Sequence, residues 1–301
     1  MQAPAPADRL RLIASFFALY VIWGSTYLAI RFGVESWPPL MMAGVRFLIA
    51  GSLMYVWLRR HGAPAPTRAE WKGAALVGTL LLAGGNGGVT VAEQWVASGV
   101  AALGVATVPL FTLVFAQLWG QRNTRREWLG IGLGLSGMLL LNMGGNLQAS
   151  PVGAVLILLA AASWALGSVW GKRLSLPAGA MAPAAEMLAG GAVLMVASQL
   201  AGERMHALPT ATGWAVLAYL VVFGSLIAFS AYQYLLRHVR PAAATSYAYV
   251  NPVVAVLLGM LFAGEHIGAA EWMAMGVIVC AVVLIGLPKR GPRLAARNRR
   301  H

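Results

Sequence analysis

Charge is scarce in this 301-residue chain: Asp, Glu, Lys and Arg together make up 10% of it. A soluble globular protein carries about 25%, so a water-exposed globule is excluded. The single cysteine, Cys280, cannot form an internal bridge, which removes the disulfide-stapled secreted scaffolds. Aspartate occurs once, at Asp8, and the five histidines (His61, His206, His238, His266, His301) fall between or beyond the apolar runs. The sequence has no HExxH, no Cys/His cluster, no G-x-S-x-G and no P-loop pattern. A hydrolase acting within a membrane needs a nucleophile with its base, or a set of metal ligands, at membrane depth. Neither can be assembled from these residues, so an enzyme is not expected, nor a metal or cofactor.

What the chain does have is apolar length. It is 59% hydrophobic with a mean hydropathy of +0.71. Apolar runs broken by charge, Gly and Pro lie near 12–31, 38–58, 74–92, 98–119, 128–143, 151–171, 180–200, 213–235, 241–263 and 270–287. The first lacks a small-residue cleavage site and reads as a span rather than a signal peptide. The net charge of +13 is distributed by side. Arg9 and Arg11 precede span 1; Arg59, Arg60, Arg68 and Lys72 follow span 2; Arg122, Arg125 and Arg126 follow span 4. Lys172 and Arg173 follow span 6, Arg237 and Arg240 span 8, and a tail from Lys289 to Arg300 closes the chain. Of the 22 basic residues only Arg31, Arg204 and the intramembrane Arg46 lie elsewhere. The positive-inside rule places both termini in the cytoplasm, with the tail against anionic lipid headgroups and no nucleic acid as partner.

The chain also matches itself. Gly24-Ser25-Thr26-Tyr27 aligns with Gly167-Ser168-Val169-Trp170, Arg46 to Gly51 with Glu186 to Gly191, Pro109 with Pro252, and Glu127-Trp128 with Glu271-Trp272. The offset stays near 140 residues. This divides the chain into an N-terminus (1–11), a first five-helix repeat (12–143), a connecting loop (144–150), a second repeat (151–287) and a basic tail (288–301). An odd number of spans per repeat inserts the second copy upside down, the arrangement of many secondary transporters, whose sites lie near midplane between the halves.

The runs Tyr20 to Tyr27, Val34 to Phe47 and Ala244 to Val256 resemble the EamA family of the drug/metabolite transporter superfamily, within it the YedA-like subgroup of inner-membrane exporters. The resemblance covers both repeats. It implies an all-α, basket-like fold of ten transmembrane helices and alternating access. It also implies export of amino acids, other small metabolites or toxic compounds from a bacterial inner membrane. Relatives that carry multidrug cations place a carboxylate in the first helix; span 1 here holds no acid, a departure from that pattern. The alternatives are an importer of similar solutes and a non-transporting membrane partner subunit.

The candidate substrate-binding residues follow from cost. Arg46, about 12 Å of helical rise into span 2, and Glu186, about 9 Å into span 7, are charges at depth. Each costs at least about 2.5–3.5 kcal/mol against lipid and should face protein or a wet cavity. Arg46 suits a carboxylate, and Glu186 an ammonium or a proton. Trp23 and Tyr27 share a face of span 1, and Trp164 and Tyr247 lie deep enough to line a cavity. Asn86, in the run Gly84-Gly85-Asn86-Gly87-Gly88, and Asn251 are amides where the backbone is exposed or weakened. Pro109 and Pro252 are expected as kink or gating positions. The glycine ridges Gly130/Gly134 and Gly132/Ser136 of span 5 fit packing within one chain, giving a monomer, with a homodimer as the alternative.

Overall fold

The computed structural model describes residues 6–95, 104–142, 151–254 and 269–286, and every secondary-structure element among them is helical. In chain order the helices are α1 (Arg9–Gly33), α2 (Pro39–Arg60), α3 (Arg68–Ala92), α4 (Val108–Leu118), α5 (Arg125–Asn142) and α6 (Pro151–Arg173). They continue as α7 (Met181–Leu200), α8 (Ala211–His238), α9 (Pro241–Ala244, resuming over 247–254) and α10 (Ala269–Gly286). Helices α1, α2, α3, α6, α7 and α8 are each long and apolar enough to cross a membrane. The start of the fourth expected span, the end of the ninth, the loop 144–150 and the tail 288–301 lie outside the described residues.

Local chemistry starts these helices. Thr67 and Glu70 form a capping box on α3, each bonding the other's backbone N–H (2.7 and 3.3 Å), and Thr124 and Glu127 repeat it at α5. Helix α2 borrows its cap from afar. Glu203 accepts from the N–H groups of Leu40 and Met41 at 3.0 and 2.9 Å, placing a carboxylate at the positive end of the helix dipole. At the opposite end of the bundle Glu127 pairs with Arg240 at 2.6 Å.

Small residues set the packing. A Cβ at Gly78 would lie 2.3 Å from the Glu186 carbonyl, and one at Gly190 would lie 2.6 Å from the Gly78 carbonyl, so α3 and α7 meet backbone to backbone. Gly44, Gly51 and Gly191 bring α2 close to α7 as well, with backbone atoms 2.9–3.2 Å from a Cβ at each. One core cluster joins side chains of α1, α2, α3, α6, α7 and α8; a smaller one gathers Leu113, Ile131, Tyr249, Ile278 and Ile285 under α5 and α10. The outer faces stay apolar: Leu53 and Trp57 on α2, Leu159 on α6 and Val196 on α7 are exposed, the pattern of a surface wetted by lipid tails.

One expectation changes. Pro109 does not kink a continuous helix: the chain turns at 106–107 and Pro109 stands in the first turn of α4, where no N–H is missed. Pro252 lies within the resumed part of α9, whose interruption is at 245–246. Trp37 is buried edge-on against Trp214, with its indole donating to Gly213 O at 3.3 Å. Of the glycine ridges, Gly130 and Gly134 pack on Ile285 and Tyr249 of the same chain, whereas nothing among the described residues lies within 4 Å of a Cβ at Gly132.

That contrast makes a stability test. Gly190→Leu should destabilise the protein by more than the roughly 1–3 kcal/mol of ordinary overpacking, since backbone must move. Gly132→Leu should leave the melting temperature in detergent within a degree or two of the parent.

Candidate functional site

Helices α1, α3 and α8 each widen into a π-helical stretch, over Leu19–Trp23, Thr79–Gly87 and Leu220–Ile227. All three line one central cavity, through Trp23, through Leu82, Gly85 and Asn86, and through Gly224. Such stretches disturb the helical ladder and recur at functional sites. Carbonyls in them accept from side chains instead. Ser163 donates to Leu80 O at 2.8 Å, Trp23 Nε1 to Gly224 O at 3.1 Å, and Ser25 and Thr26 to Ile22 O and Trp23 O. The Asn251 amide nitrogen, oriented to satisfy its neighbours, donates to Tyr20 O at 3.3 Å and Tyr247 O at 3.1 Å.

The cavity brings together Trp23, Tyr27, Arg46, Asn86, Trp164, Tyr247 and Asn251 of the candidate residues. Pro109, Pro252 and Glu186 are not on its wall. Trp23 is its aromatic hub, edge-on to Trp164 at 5.5 Å and to Tyr247 at 4.7 Å. The glycine run of α3 serves close packing and the cavity at once. Gly84 makes room for Ser163 and Gly88 for Ala160, while Asn86 faces the cavity with an Oδ1 that has no hydrogen-bond partner among the described residues.

Arg46 is 4% exposed and forms no ion pair among the described residues. Its Nε donates to Ser225 Oγ at 2.8 Å, and its guanidinium carbon lies 4.7 Å from the Phe47 ring centre. The head occupies space that glycine leaves: a Cβ at Gly224 would be 2.7 Å from its Nη2. The other nitrogens, with four of the five guanidinium N–H groups, have no acceptor among the described residues, although the side chain lines the cavity.

Glu186 is fully buried and does not line the cavity. Gln233 Nε2 donates to its Oε2, and its Oε1 has no partner among the described residues. Arg46 and Glu186, expected as functional partners in one site, thus turn to different residues of the same helix, Ser225 and Gln233 of α8. Tyr232 itself closes a ring of bonds whose proton positions follow from counting donors. Ser168 spends its only proton on Trp164 O at 2.7 Å, so the Tyr232 hydroxyl donates to Ser168 at 2.6 Å and accepts from Trp164 Nε1 at 2.9 Å.

Sequence reading missed Ser225, Tyr232, Gln233 and Glu93. A lone amide in the run Ala228–Leu236 was the available signal for Gln233. Glu93, the residue after α3, falls just past an expected span. Neither of its carboxylate oxygens has a partner among the described residues, and burial pushes its carboxyl up to about 8 against the pull of nearby Arg31.

Comparisons place this arrangement. The profile of the EamA-like transporter family matches residues 10–143 and again 151–287. The inner membrane transporter YedA of Escherichia coli K12 is 59% identical over 281 residues, covering 93% of this chain and 92% of that protein. The transporter YdfC of Bacillus subtilis is 28% identical, covering 85% and 84%. One crystal structure, 20% identical, shares the fold with a TM-score of 0.75 over 92% of this chain and 97% of the other.

Removing one partner of a buried charge costs more than removing the charge. Gln233→Leu, which leaves Glu186 without its donor, should lower stability by about 2–4 kcal/mol in thermal unfolding. Glu186→Gln, which keeps an amide pair, should stay within about 1 kcal/mol of the parent.

Proposed function

The chain belongs to the EamA-like transporter family, and on that premise we propose that it exports small zwitterionic or carboxylate-bearing organic solutes by alternating access. The observation that carries the reading is the Arg46 guanidinium on the wall of a cavity shared by both halves of the chain, with most of its N–H groups unengaged among the described residues. A buried cation without a fixed anion is costly, and the deficit is what a carboxylate entering the cavity offsets. The guanidinium fork bonds both oxygens of a carboxylate at once.

Asn86 Oδ1, at the same cavity and without a donor among the described residues, suits the ammonium of an amino acid. Trp23, Trp164 and Tyr247 then present ring faces and edges to an apolar or aromatic side chain. Glu186, off the cavity and held by Gln233, is suited to carrying a proton rather than meeting the solute. The cavity, at about 70 Å³, holds only a few waters, so loading requires the helices to part. The π-helical stretches and the interruptions at 106–107 and 245–246 are the places that can give.

In this reading ten helices cross a bacterial inner membrane as two inverted five-helix halves, with both termini in the cytoplasm. The double match to the family profile and the interruptions at 106–107, just before α4, and at 245–246, within α9, at an offset close to that of the sequence repeat, support it. A monomer suffices, since the cavity is complete within one chain.

The test is flux of radiolabelled amino acids into and out of proteoliposomes, normalised to inserted protein. Arg46→Lys keeps the charge but loses the fork and should lower flux at least tenfold, about 1.4 kcal/mol of lost recognition. Asn86→Ala should weaken amino acids more than matched acids lacking the ammonium. Parental flux in both variants would overturn the assignment.

A further inference from the structure

A second cavity of about 410 Å³ opens where α6 and α8 end, beside the loops that carry most of the basic residues. Small-molecule sites span about 300–1,000 Å³, so this space admits a solute that the central cavity, as it stands, does not. Among the described residues the charged side chains on its wall are Lys172 and Arg237, and no carboxylate lines it. Each is braced by a backbone carbonyl: Lys172 donates to Val239 O at 3.3 Å and Arg237 to Pro177 O at 3.2 Å. Their remaining N–H groups, with no acceptor among the described residues, suit an anion.

The wall also includes a hydroxyl and an amide, Ser168 and Gln233. Each leads inward. Ser168 sits one helical turn from Trp164, a wall of the central cavity, and is bonded to it through Tyr232. Gln233 holds Glu186. Tyr232 therefore links a wall residue of one cavity to a wall residue of the other, and whatever occupies the outer one lies against Ser168 and Gln233.

We infer that this outer cavity is an entry vestibule that takes the anionic group of a solute on Lys172 and Arg237 before the solute reaches Arg46, an inference that rests on the transport reading above. A carboxylate of a small solute and the phosphate of a lipid headgroup share the chemistry these cations recognise, and the experiment separates them.

A reporter cysteine at the cavity wall, Ala178→Cys in a Cys280→Ser background, is labelled with a maleimide in the full-length protein held in phosphatidylcholine nanodiscs. The probes are L-phenylalanine, L-glutamate and benzoate, each against its carboxamide. The expected result is slower labelling with the acids and not with the amides. In Lys172→Gln and Arg237→Gln, about tenfold more acid should be needed, the loss expected for one charge-assisted hydrogen bond, while Arg237→Lys keeps most of the protection. Absence of protection by every acid, or equal protection by the amides, overturns the vestibule. So does protection that appears only when phosphatidylglycerol replaces phosphatidylcholine, which assigns the cations to lipid. Labelling reads occupancy without flux: protection with no flux in proteoliposomes sinks the transport reading and upholds the anion site, and flux without protection does the reverse.

Discussion

A peptide carbonyl or N–H released inside an apolar bundle has no water to turn to, and the structure is organised around that constraint. Wherever a helix departs from α geometry next to the cavity, a side chain takes up carbonyls of the departing turn. Ser163 reaches across to α3, Trp23 to α8 and Asn251 to α1. These donors come from other helices, so each widened turn also serves as a joint between elements. The cavity exists because the turns are wide, and the turns are tolerated because their neighbours satisfy them.

The same economy fixes hydrogen positions. Ser25, Ser168 and Ser246 each give their one proton to a carbonyl three or four residues back. Each must then accept from the tyrosine it touches: Tyr219, Tyr232 and Tyr20 respectively. Three helix pairs are thereby joined by bonds of fixed direction. Tyr232 joins Trp164 on the wall of one cavity to Ser168 on the wall of the other, so a change there has to break a satisfied ring of bonds rather than a loose contact.

Much of this was legible from residues in isolation. A charge at membrane depth, a tryptophan far from either interface and a glycine run with one amide each violate a strong local rule, and Arg46, Trp23 and Asn86 meet at one cavity. Partners were not legible. Ser225 and Gln233 break no rule, since a single serine or glutamine is tolerated in any helix that can satisfy it. What makes them matter is a contact 179 residues away for one and 47 for the other. Glu186 shows the opposite limit: its depth was readable, but which way it faces depends on the rotation of α7, and the tight glycine contacts with α2 and α3 set that. Pro109 misled because a missing N–H says a helix is disturbed nearby without saying whether the chain bends there or had already turned.

Gly224 and Arg46 share a single volume, and that imposes an order on how sequences like this one can change. A lineage that loses the arginine first leaves a small void beside a glycine, into which a larger residue can later settle. A lineage that gains a side chain at 224 first drives the guanidinium off Ser225 while it is still needed. The glycine is thus the later of the two to become free. Among descendants, a bulky residue at 224 should mark a branch in which the arginine had already been given up, and with it whatever solute the arginine selects.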